Sequence, residues 1–315
     1  MIGIQKLWPV FLLGTSIYIL ELYYYHDGYS PTFSRSGEFS AKFIDVEYPY
    51  RFEIMPDSTA KCDNSTKLLI IVLTMAPNWE IRRAIRETWA SRSVLNAIKV
   101  NFILSMSKNS TRIEEEARQH DDLIVTNLPE TYDNLVLKVH SLLTYKQHYC
   151  DDVDYVLKID EDVVINPEKV LEAARNPAKA KIDAISGYLW KKSVPKRDKS
   201  HKWYIPRTFW PAKYFPDYCD GPMYLVGKKV VPKLLQASQN HKKWSLEDVF
   251  WTGILTSDQK IPLFNWARQI LRDKGDLYSN KLHCRASQPY LGCHGLKGPE
   301  QIRTGYQKLI QLKCT

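Results

Sequence analysis

The sequence lacks the short motifs that mark several large enzyme classes. It contains no GxGxxG after a candidate strand, no GxxxxGK[ST], no HExxH and no GxSxG. These absences argue against dinucleotide oxidoreductases, P-loop nucleotidases, zinc peptidases and serine hydrolases. None of the six cysteines forms a CxxC, which argues against a zinc ribbon or a thioredoxin-type site. Internal repeats and low-complexity tracts are also missing.

The composition is that of a globular protein. The chain has 315 residues, 44% of them hydrophobic and 25% charged, which excludes a mostly disordered chain and a collagen-like repeat. That length allows one large domain or two small ones. Nine Trp and nineteen Tyr suit large buried rings or a surface that stacks on sugars or bases. The net charge of +9 suggests an anionic partner: nucleic acid, a membrane surface or a phosphorylated substrate.

The amino terminus predicts a membrane segment. Residues 7–20 carry no charge, and Leu22 with the following tyrosines extends the apolar stretch to residue 25. We expect an uncleaved signal anchor at 7–25 after a cytosolic tail at 1–6, with the rest of the chain in the lumen. A cleaved signal peptide and a buried helix are the alternatives, but Glu21 and three tyrosines make a poor cleavage site.

Sequons and cysteines agree with a lumenal chain. Asn64 and Asn109 each begin an N-glycosylation sequon, and all six cysteines follow the apolar segment. An even cysteine count in an oxidising compartment predicts disulfides, with 15 possible pairings that the sequence does not distinguish. A lumenal address removes nucleic acid from the list of partners.

The pattern after the apolar segment predicts a stem followed by an α/β domain. Residues 26–66 show no sustained period and are interpreted as a stem, with the catalytic domain at 67–315. Apolar runs predict strands at 68–75, 100–106, 122–128 and 154–160, and helical spacing predicts helices at 79–90 and 135–149. Strands that alternate with helices predict a mainly parallel sheet covered on both faces, with ligands at the carboxyl ends of its strands.

The second half is less regular. Residues 183–190 and 222–231 are predicted as strands. Residues 193–221 are rich in Lys, Arg, Pro and aromatics, which indicates a functional loop or hairpin. Its aromatic side chains form a candidate wall for sugar stacking or else pack beneath the loop; they are Trp203, Tyr204, Trp210, Tyr214 and Tyr218.

Three groups of charged residues are candidates for chemistry. Asp160-Glu161-Asp162 ends a predicted strand, where a divalent cation with bound phosphates would neutralise it; a solvated acidic turn is the alternative. Glu247-Asp248 lies in an apolar stretch, which favours a raised pKa and a general base, although Ser245 could instead cap a helix there. Arginines at 82–86 match phosphate or uracil, or form a solvated helix face.

Five blocks in order resemble the β-1,3-galactosyltransferase / β-1,3-N-acetylglucosaminyltransferase family. They are Arg82–Trp89, Tyr132–Lys138, Lys158–Val163, Tyr214–Gly221 and Glu247–Phe250, within residues 65–300. The resemblance implies a GT-A fold and a type II Golgi membrane enzyme. It also implies an inverting, metal-dependent hexosyl transfer from a UDP-sugar to a hydroxyl of an acceptor glycan, forming a β-1,3 linkage.

The resemblance also implies roles for individual residues. Asp162, Asp160 and His294 would hold Mn²⁺ or Mg²⁺, and Asp248 with Glu247 beside it would supply the catalytic base. The expected UDP-sugar contacts are Arg82, Arg86, Lys138, Asp160 and Glu161, and the expected acceptor wall is Trp203, Tyr204, Tyr218 and Gly221.

The chain departs from the family pattern in places. Glu161 stands where Asp is commonest, Val136 where Thr is usual, and Cys293 replaces an aliphatic residue before His294. A catalytically silent carbohydrate-binding relative is the alternative function; it would be favoured by loss of Asp162 or Asp248, and both are present. A metal-dependent phosphoryl transferase would need a Gly-rich phosphate loop, which is missing. The Lys/Arg set at 191–202 stays unexplained, with an acidic acceptor or a membrane-proximal face both open.

Overall fold

The computed structural model describes residues 37–56, 62, 64–91, 95, 97–106, 110–279 and 289–312. Contacts divide the chain into Met1–Phe33, which lies outside the described residues, and Ser34–Thr315, which contains all of them. The predicted anchor at 7–25 and the Asn109 sequon therefore lie outside the described residues. In the described part of the chain, no helix is both long enough and apolar enough to cross a bilayer.

The first half alternates strands with helices, as predicted. Its strands are β1 (Phe39–Lys42), β2 (Glu47–Tyr50), β3 (Phe52–Ile54), β4 (Leu68–Leu73), β5 (Ile98–Ser105), β6 (Leu123–Thr126), β7 (Tyr155–Asp160) and β8 (Val163–Ile165). Its helices are α1 (Trp79–Glu87), α2 (Ser110–His120), α3 (Leu135–Tyr149), which follows a 3₁₀ turn at Tyr132–Asn134, and α4 (Pro167–Arg175).

The second half mixes short elements with long connections. Its strands are β9 (Ile185–Trp190), β10 (Tyr218–Gly227), β11 (Leu263–Asn265), β12 (Ile270–Leu271) and β13 (Gly292–His294). Its helices are α5 (Val231–Ser238), a π-helical segment at Val249–Ile254 that continues into α6 (Leu255–Asp258), α7 (Lys274–Tyr278) and α8 (Pro299–Gln311).

An eight-stranded sheet in the order β11-β9-β10-β7-β4-β5-β6-β3 forms the centre of the fold. The β7-β4-β5-β6 core is parallel, whereas β10 is antiparallel to both β7 and β9. All six residues of β4 are buried because strands pair on both of its edges and side chains cover both of its faces. The predicted mainly parallel α/β sheet is confirmed.

Two predicted boundaries are wrong. Residues 37–56 were predicted as stem, but they form β1–β3, and β3 completes the sheet by pairing with β6, Phe52 facing Thr126. The predicted strand at 222–231 actually begins at Tyr218 and ends at Gly227, and Val231 begins α5. A register shift between Cys219 and Tyr224 interrupts the pairing with β9, which obscures the period that would mark the strand.

The cysteines separate into a disulfide and two buried thiols. Cys62 and Cys150 form a disulfide across a sequence separation of 88 residues. Cys219 and Cys293 are buried thiols. Cys284 and Cys314 lie outside the described residues. Asn64, the predicted sequon, lies in an exposed turn.

Candidate active site

The acidic motif lies at the carboxyl edge of the parallel strands, where ligands bind in sheets of this kind. Asp160 ends β7 and is in register with Leu73, the last residue of β4. Glu161 therefore meets the segment that follows β4: its two oxygens accept hydrogen bonds from the Thr74 hydroxyl and the Asn78 amide. Glu161, the middle residue of the acidic motif, thus holds the loop at residues 74–78 against the turn at residues 160–162.

Asp162 faces His294 across a small second sheet. β8 and β13 pair antiparallel with Val163 opposite His294, and the Asp162 carbonyl accepts hydrogen bonds from the Gly295 and Leu296 N–H groups. This pairing leaves Asp162 Oδ2 3.3 Å from His294 Nε2. Burial lowers the pKa of His294, but the hydrogen bond and the charge of Asp162 raise it by more.

The donor set of this pair suits a divalent cation. Asp162 Oδ1 is buried and has no hydrogen-bond partner among the described residues. His294 Nδ1 lies 3.0 Å from the Arg272 carbonyl, an arrangement that directs the other ring nitrogen towards a metal ligand position. In the described ranges no group of three or more His, Cys, Asp or Glu side chains is arranged around one ion position. Mg²⁺ and Mn²⁺ sites commonly take one or two protein ligands and complete their shell with substrate phosphates, so the pair fits such an ion.

A buried lysine joins the acidic motif to the second acidic pair. Lys158 Nζ lies 2.7 Å from Asp160 Oδ1 and 3.0 Å from Glu247 Oε1, and it also donates to the Gly221 carbonyl. The Lys158 side chain is 2% exposed. Burial lowers its pKa, but the two carboxylates raise it by more, so the ammonium stays charged. Glu247 accepts a further hydrogen bond from the Tyr224 hydroxyl at 3.0 Å.

Asp248 has the proton affinity of a general base. Burial, and then the negative charge of Glu247, raise its pKa to about 7. Asp248 Oδ1 accepts a hydrogen bond from the Val249 N–H at 2.8 Å, so Asp248, and not the alternative Ser245, caps the π-helical segment. Helical segments of this kind occur frequently at functional sites. Catalytic bases work best with a pKa near the operating pH.

Gly221, predicted for the acceptor wall, lies directly against the acidic pair. A Cβ added there would be 3.3 Å from Glu247 Oε1 and 3.5 Å from Asp248 Oδ2. An added Cβ would therefore crowd the Glu247 carboxylate and touch that of Asp248. This close approach explains why a glycine, and not a larger residue, stands at position 221.

The two arginines predicted as UDP-sugar contacts bind groups inside the protein. Arg82 is fully buried, and its five N–H donors reach the Thr74 hydroxyl, the Met75 and Ala76 carbonyls and both oxygens of Glu116. Arg86 binds Asp122 with two hydrogen bonds and also pairs with Glu116. Arg82 therefore supports the 74–78 loop directly, whereas Arg86 binds Glu116, the carboxylate that also pairs with Arg82.

Lys138 also lies beneath this loop. It is 5% exposed, donates to the Thr74 carbonyl at 2.8 Å and pairs with Glu130. Burial lowers its pKa more than Glu130 raises it. Like Arg82, it shapes the backbone at the end of β4 instead of presenting its charge to solvent.

The predicted aromatic wall divides into separate groups. Trp203 is 48% exposed. It follows Lys202, whose Nζ lies 4.1 Å from the ring centre of Tyr132. The pKa of Tyr132 is raised to about 12 by burial and also by the charges of Asp248, Glu247 and Asp160. Trp203 therefore stands at the rim of the catalytic cleft. The other members lie elsewhere: Tyr204 is half-buried in the loop, Tyr218 is buried against Phe215 and Ser193, and Trp210 packs on Trp244.

Sequence reasoning gave no role to one further group beside the acids. Asp220 accepts hydrogen bonds from Trp190 Nε1 at 2.9 Å and Arg272 Nε at 3.1 Å, and the Arg272 guanidinium lies 4.3 Å from the Trp190 ring centre. Asp220 is close enough to help raise the pKa of Asp248. Trp190, Asp220 and Arg272 come from three distant segments, so no sequence motif could have predicted that they meet. Lys158 was also missed, although a lysine inside the apolar run of β7 is a signal that could have found it.

The family model described as Galactosyltransferase matches residues 80–266, which contain both acidic groups. Beta-1,3-galactosyltransferase 2 of Homo sapiens is 29% identical over 244 residues, which cover 74% of this chain and 58% of the relative. Beta-1,3-galactosyltransferase 1 of Mus musculus is 28% identical over 209 residues, 64% of each chain. The matches therefore span less than two thirds of these relatives.

Among solved structures, the WbbM bifunctional glycosyltransferase is 10% identical with a TM-score of 0.45, covering 79% of this chain and 50% of that one. An active-site mutant of LgtC is 10% identical with a TM-score of 0.41, covering 78% and 97%. These structural scores are too low to carry an argument about the site. The family model matches more than half of the chain, so the chain belongs to the galactosyltransferase family.

Proposed function

We propose that the chain transfers galactose or an N-acetylhexosamine from a UDP-sugar to a hydroxyl of an acceptor glycan, with inversion and a β-1,3 linkage. The observation that carries the proposal is Asp248, a carboxyl with a pKa of about 7 next to the buried Glu247–Lys158–Asp160 network. The family membership and the beta-1,3-galactosyltransferase relatives support the same reaction.

Asp248 takes the proton from the acceptor hydroxyl as that oxygen attacks the anomeric carbon. A single displacement from the face opposite the UDP turns an α-linked donor into a β-linked product, as in inverting hydrolysis with one carboxylate as base. Glu247 is held by Lys158 and Tyr224, so it stays in place and keeps the pKa of Asp248 high.

Asp162 and His294 are the proposed metal ligands, with Asp160 behind them towards the nucleotide. A bound Mn²⁺ or Mg²⁺ supplies positive charge that stabilises the departing diphosphate. Asp160 is held by Lys158, which restrains its orientation. The Asp162 carbonyl is bonded to the Gly295 and Leu296 N–H groups, which fixes the turn that carries its carboxylate.

The nucleotide is proposed to bind over the 74–78 loop. Glu161 holds the loop from the acidic turn, while Arg82 and Lys138 hold its backbone from below. These three side chains act on the donor through the shape of the loop. Arg86 does not contact the loop; it forms an ion pair with Glu116, which in turn pairs with Arg82.

The cellular setting is part of the proposal. The apolar segment at 7–25 is proposed to anchor the chain in the Golgi membrane as a single-pass type II protein, with a lumenal GT-A catalytic domain. The Cys62–Cys150 disulfide supports an oxidising compartment. Carbohydrate acceptors on glycoproteins, glycolipids or proteoglycan linkers are all available there.

The test is a transfer assay with the full chain in non-ionic detergent and Mn²⁺. UDP-galactose, UDP-N-acetylglucosamine and UDP-N-acetylgalactosamine are offered in turn, and UDP release is measured with and without a panel of acceptor glycans. One donor should dominate, and the NMR coupling constant of the new linkage should be that of a β-anomer. An α-linked product, or no UDP release with any donor, would overturn the proposal.

A further inference from the structure

Most of the net charge of the chain is concentrated in one loop. Residues 191–213, named here the basic loop, contain eight Lys or Arg and one acid, Asp198. Their net charge is +7, against +9 for the whole chain. The loop directly follows β9, whose last residue, Trp190, donates a hydrogen bond to Asp220, and four residues separate the loop from β10.

The cations of the basic loop are exposed and uncompensated. Seven of the eight are exposed: Lys191, Lys192, Lys196, Lys199, Lys202, Arg207 and Lys213. Within the described part of the chain, none of these seven lies within ion-pair distance of a carboxylate. A solvated surface usually intersperses both signs of charge, so a run of one sign indicates an anionic partner.

The basic loop has a defined shape. Its eighth cation, Arg197, donates hydrogen bonds to the Ile205, Trp210 and Ala212 carbonyls at 2.8 to 3.0 Å. The Ile205 N–H bonds the Lys196 carbonyl, and the Phe215 N–H bonds the Ser193 carbonyl. The backbone that carries this array of exposed charges is therefore held in one shape, so the loop itself needs little ordering when a ligand binds.

The array begins at the catalytic cleft. Lys202 Nζ lies 4.1 Å from the ring centre of Tyr132, and the adjacent Trp203 is 48% exposed. Tyr132 is near enough to Asp248 for that charge to influence its hydroxyl. A ligand that crosses the face of Tyr132 and Trp203 would connect the basic loop with the proposed base.

The cleft itself carries the opposite charge. Asp160, Asp162, Asp220, Glu247 and Asp248 surround the proposed reaction centre. A neutral acceptor would need no basic rim, whereas an acidic one would be repelled by these carboxylates unless cations held its charged groups away from them.

We propose that the basic loop binds the anionic groups of an acidic oligosaccharide acceptor, carboxylate or sulfate, and so presents a hexose hydroxyl to Asp248. This inference rests on the proposed glycosyl transfer and names the chemical class of its acceptor. A membrane surface would also attract the loop, but Lys202, its cation at the cleft, lies over the ring of Tyr132 in the catalytic domain.

The test compares two charge-matched triple variants of the full chain in detergent. The loop variant is Lys199→Gln/Lys202→Gln/Arg207→Gln. The control is Lys229→Gln/Lys233→Gln/Lys308→Gln, three exposed lysines on other elements, two of them beyond the far end of β10. The probes are a heparin-derived tetrasaccharide, its carboxyl-reduced form, its desulfated form and a form with both changes. Their Kd values are measured with UDP and Mn²⁺ at low and high salt.

Wild type and control should bind the acidic tetrasaccharide about tenfold more tightly than the neutral form at low salt, and the loop variant should lose this preference. The carboxyl-reduced and desulfated forms show which anionic group is recognised. Equal Kd values for acidic and neutral forms in wild type, or an unchanged preference in the loop variant, would overturn the inference. So would loss of binding to phosphatidylserine vesicles in the loop variant with its saccharide preference intact, which would assign the loop to a membrane. Failure of the transfer reaction itself is seen separately, as no UDP release from any UDP-sugar in wild type.

Discussion

Lys158 and Glu247 are 89 residues apart in the chain, yet their charged groups lie 3.0 Å apart in the interior. Through this pair, β7, which carries Asp160, is joined to the helix start that carries Asp248. The Lys158 ammonium group thus fixes Asp160, on the proposed donor side of the site, relative to Glu247, the neighbour of the proposed base.

Removing Lys158 should destabilise the fold. Lys158→Met leaves Asp160 and Glu247 near each other without a cation, and breaking a buried pair in this way costs about 3–5 kcal/mol. Urea unfolding measures the loss. Adding Glu247→Gln to the same variant should restore part of the lost unfolding free energy, because only one of the two unpaired carboxylates, that of Asp160, then remains.

The exposed pair of Lys228 and Asp154 is the control for this experiment. Its atoms are 2.7 Å apart with both side chains more than a third exposed. Lys228→Met should change the free energy of unfolding by no more than about 1 kcal/mol. Equal losses from Lys158→Met and Lys228→Met would contradict the buried network.

Arg82 should behave as a structural residue and not as a ligand contact. Because all five donors are engaged, Arg82→Lys cannot satisfy Glu116 and the loop carbonyls together, so the unfolding free energy should fall by about 2–4 kcal/mol. Arg83, which is 52% exposed, supplies the control: Arg83→Lys should stay within about 0.5 kcal/mol. A raised donor Kd with unchanged stability in Arg82→Lys would show direct contact with the nucleotide instead.

Local elements and motif residues were predictable from the sequence alone. Buried strands such as β4 and helix α3 follow from local runs and periodicity, which the fold preserves. Asp160, Asp162, Asp248 and His294 follow from motif resemblance. The structure places the first two and His294 at or beside the ends of paired strands, and Asp248 at the start of a helical segment.

What the sequence could not supply is the choice among long-range partners. Spacing marks Arg82 as a basic residue after a strand, but only the fold shows that Glu116, 34 residues away, consumes its charge. The strand β3 was predicted as stem because its partner β6 lies about 70 residues later. Trp203 of the 193–221 loop is exposed, whereas Trp210 of the same loop packs on Trp244, a residue outside the loop.

Metal binding should depend on Asp162 and His294. With Mn²⁺ and UDP added, wild type should be thermally stabilised, since a ligand that binds only the native state raises Tm. Asp162→Ala should lose this shift and the transfer activity, while Asp183→Ala, an exposed acid elsewhere, should retain both. Full transfer activity in excess EDTA would contradict the proposed metal.

The rate of transfer should depend on the ionisation of Asp248. Its pKa is raised to about 7, and a base must be deprotonated, so kcat/KM for the acceptor should fall tenfold per pH unit below about 7 and level off above it. Saturating Mn²⁺ keeps His294 deprotonated, because metal and proton compete for the same nitrogen. A flat profile between pH 5.5 and 8 would remove Asp248 as the group that limits the rate.

The substitution Asp248→Asn tests the account most directly. The folded-state pKa of Asp248 lies above its unfolded value, so ionisation costs stability as pH rises from about 4 to 7, and the asparagine variant should melt no lower than wild type at neutral pH. With fold and donor Kd preserved, kcat for transfer should fall by about 10²–10⁴-fold, the usual contribution of a general base. A variant that transfers sugar within twofold of the wild-type rate would contradict the central claim.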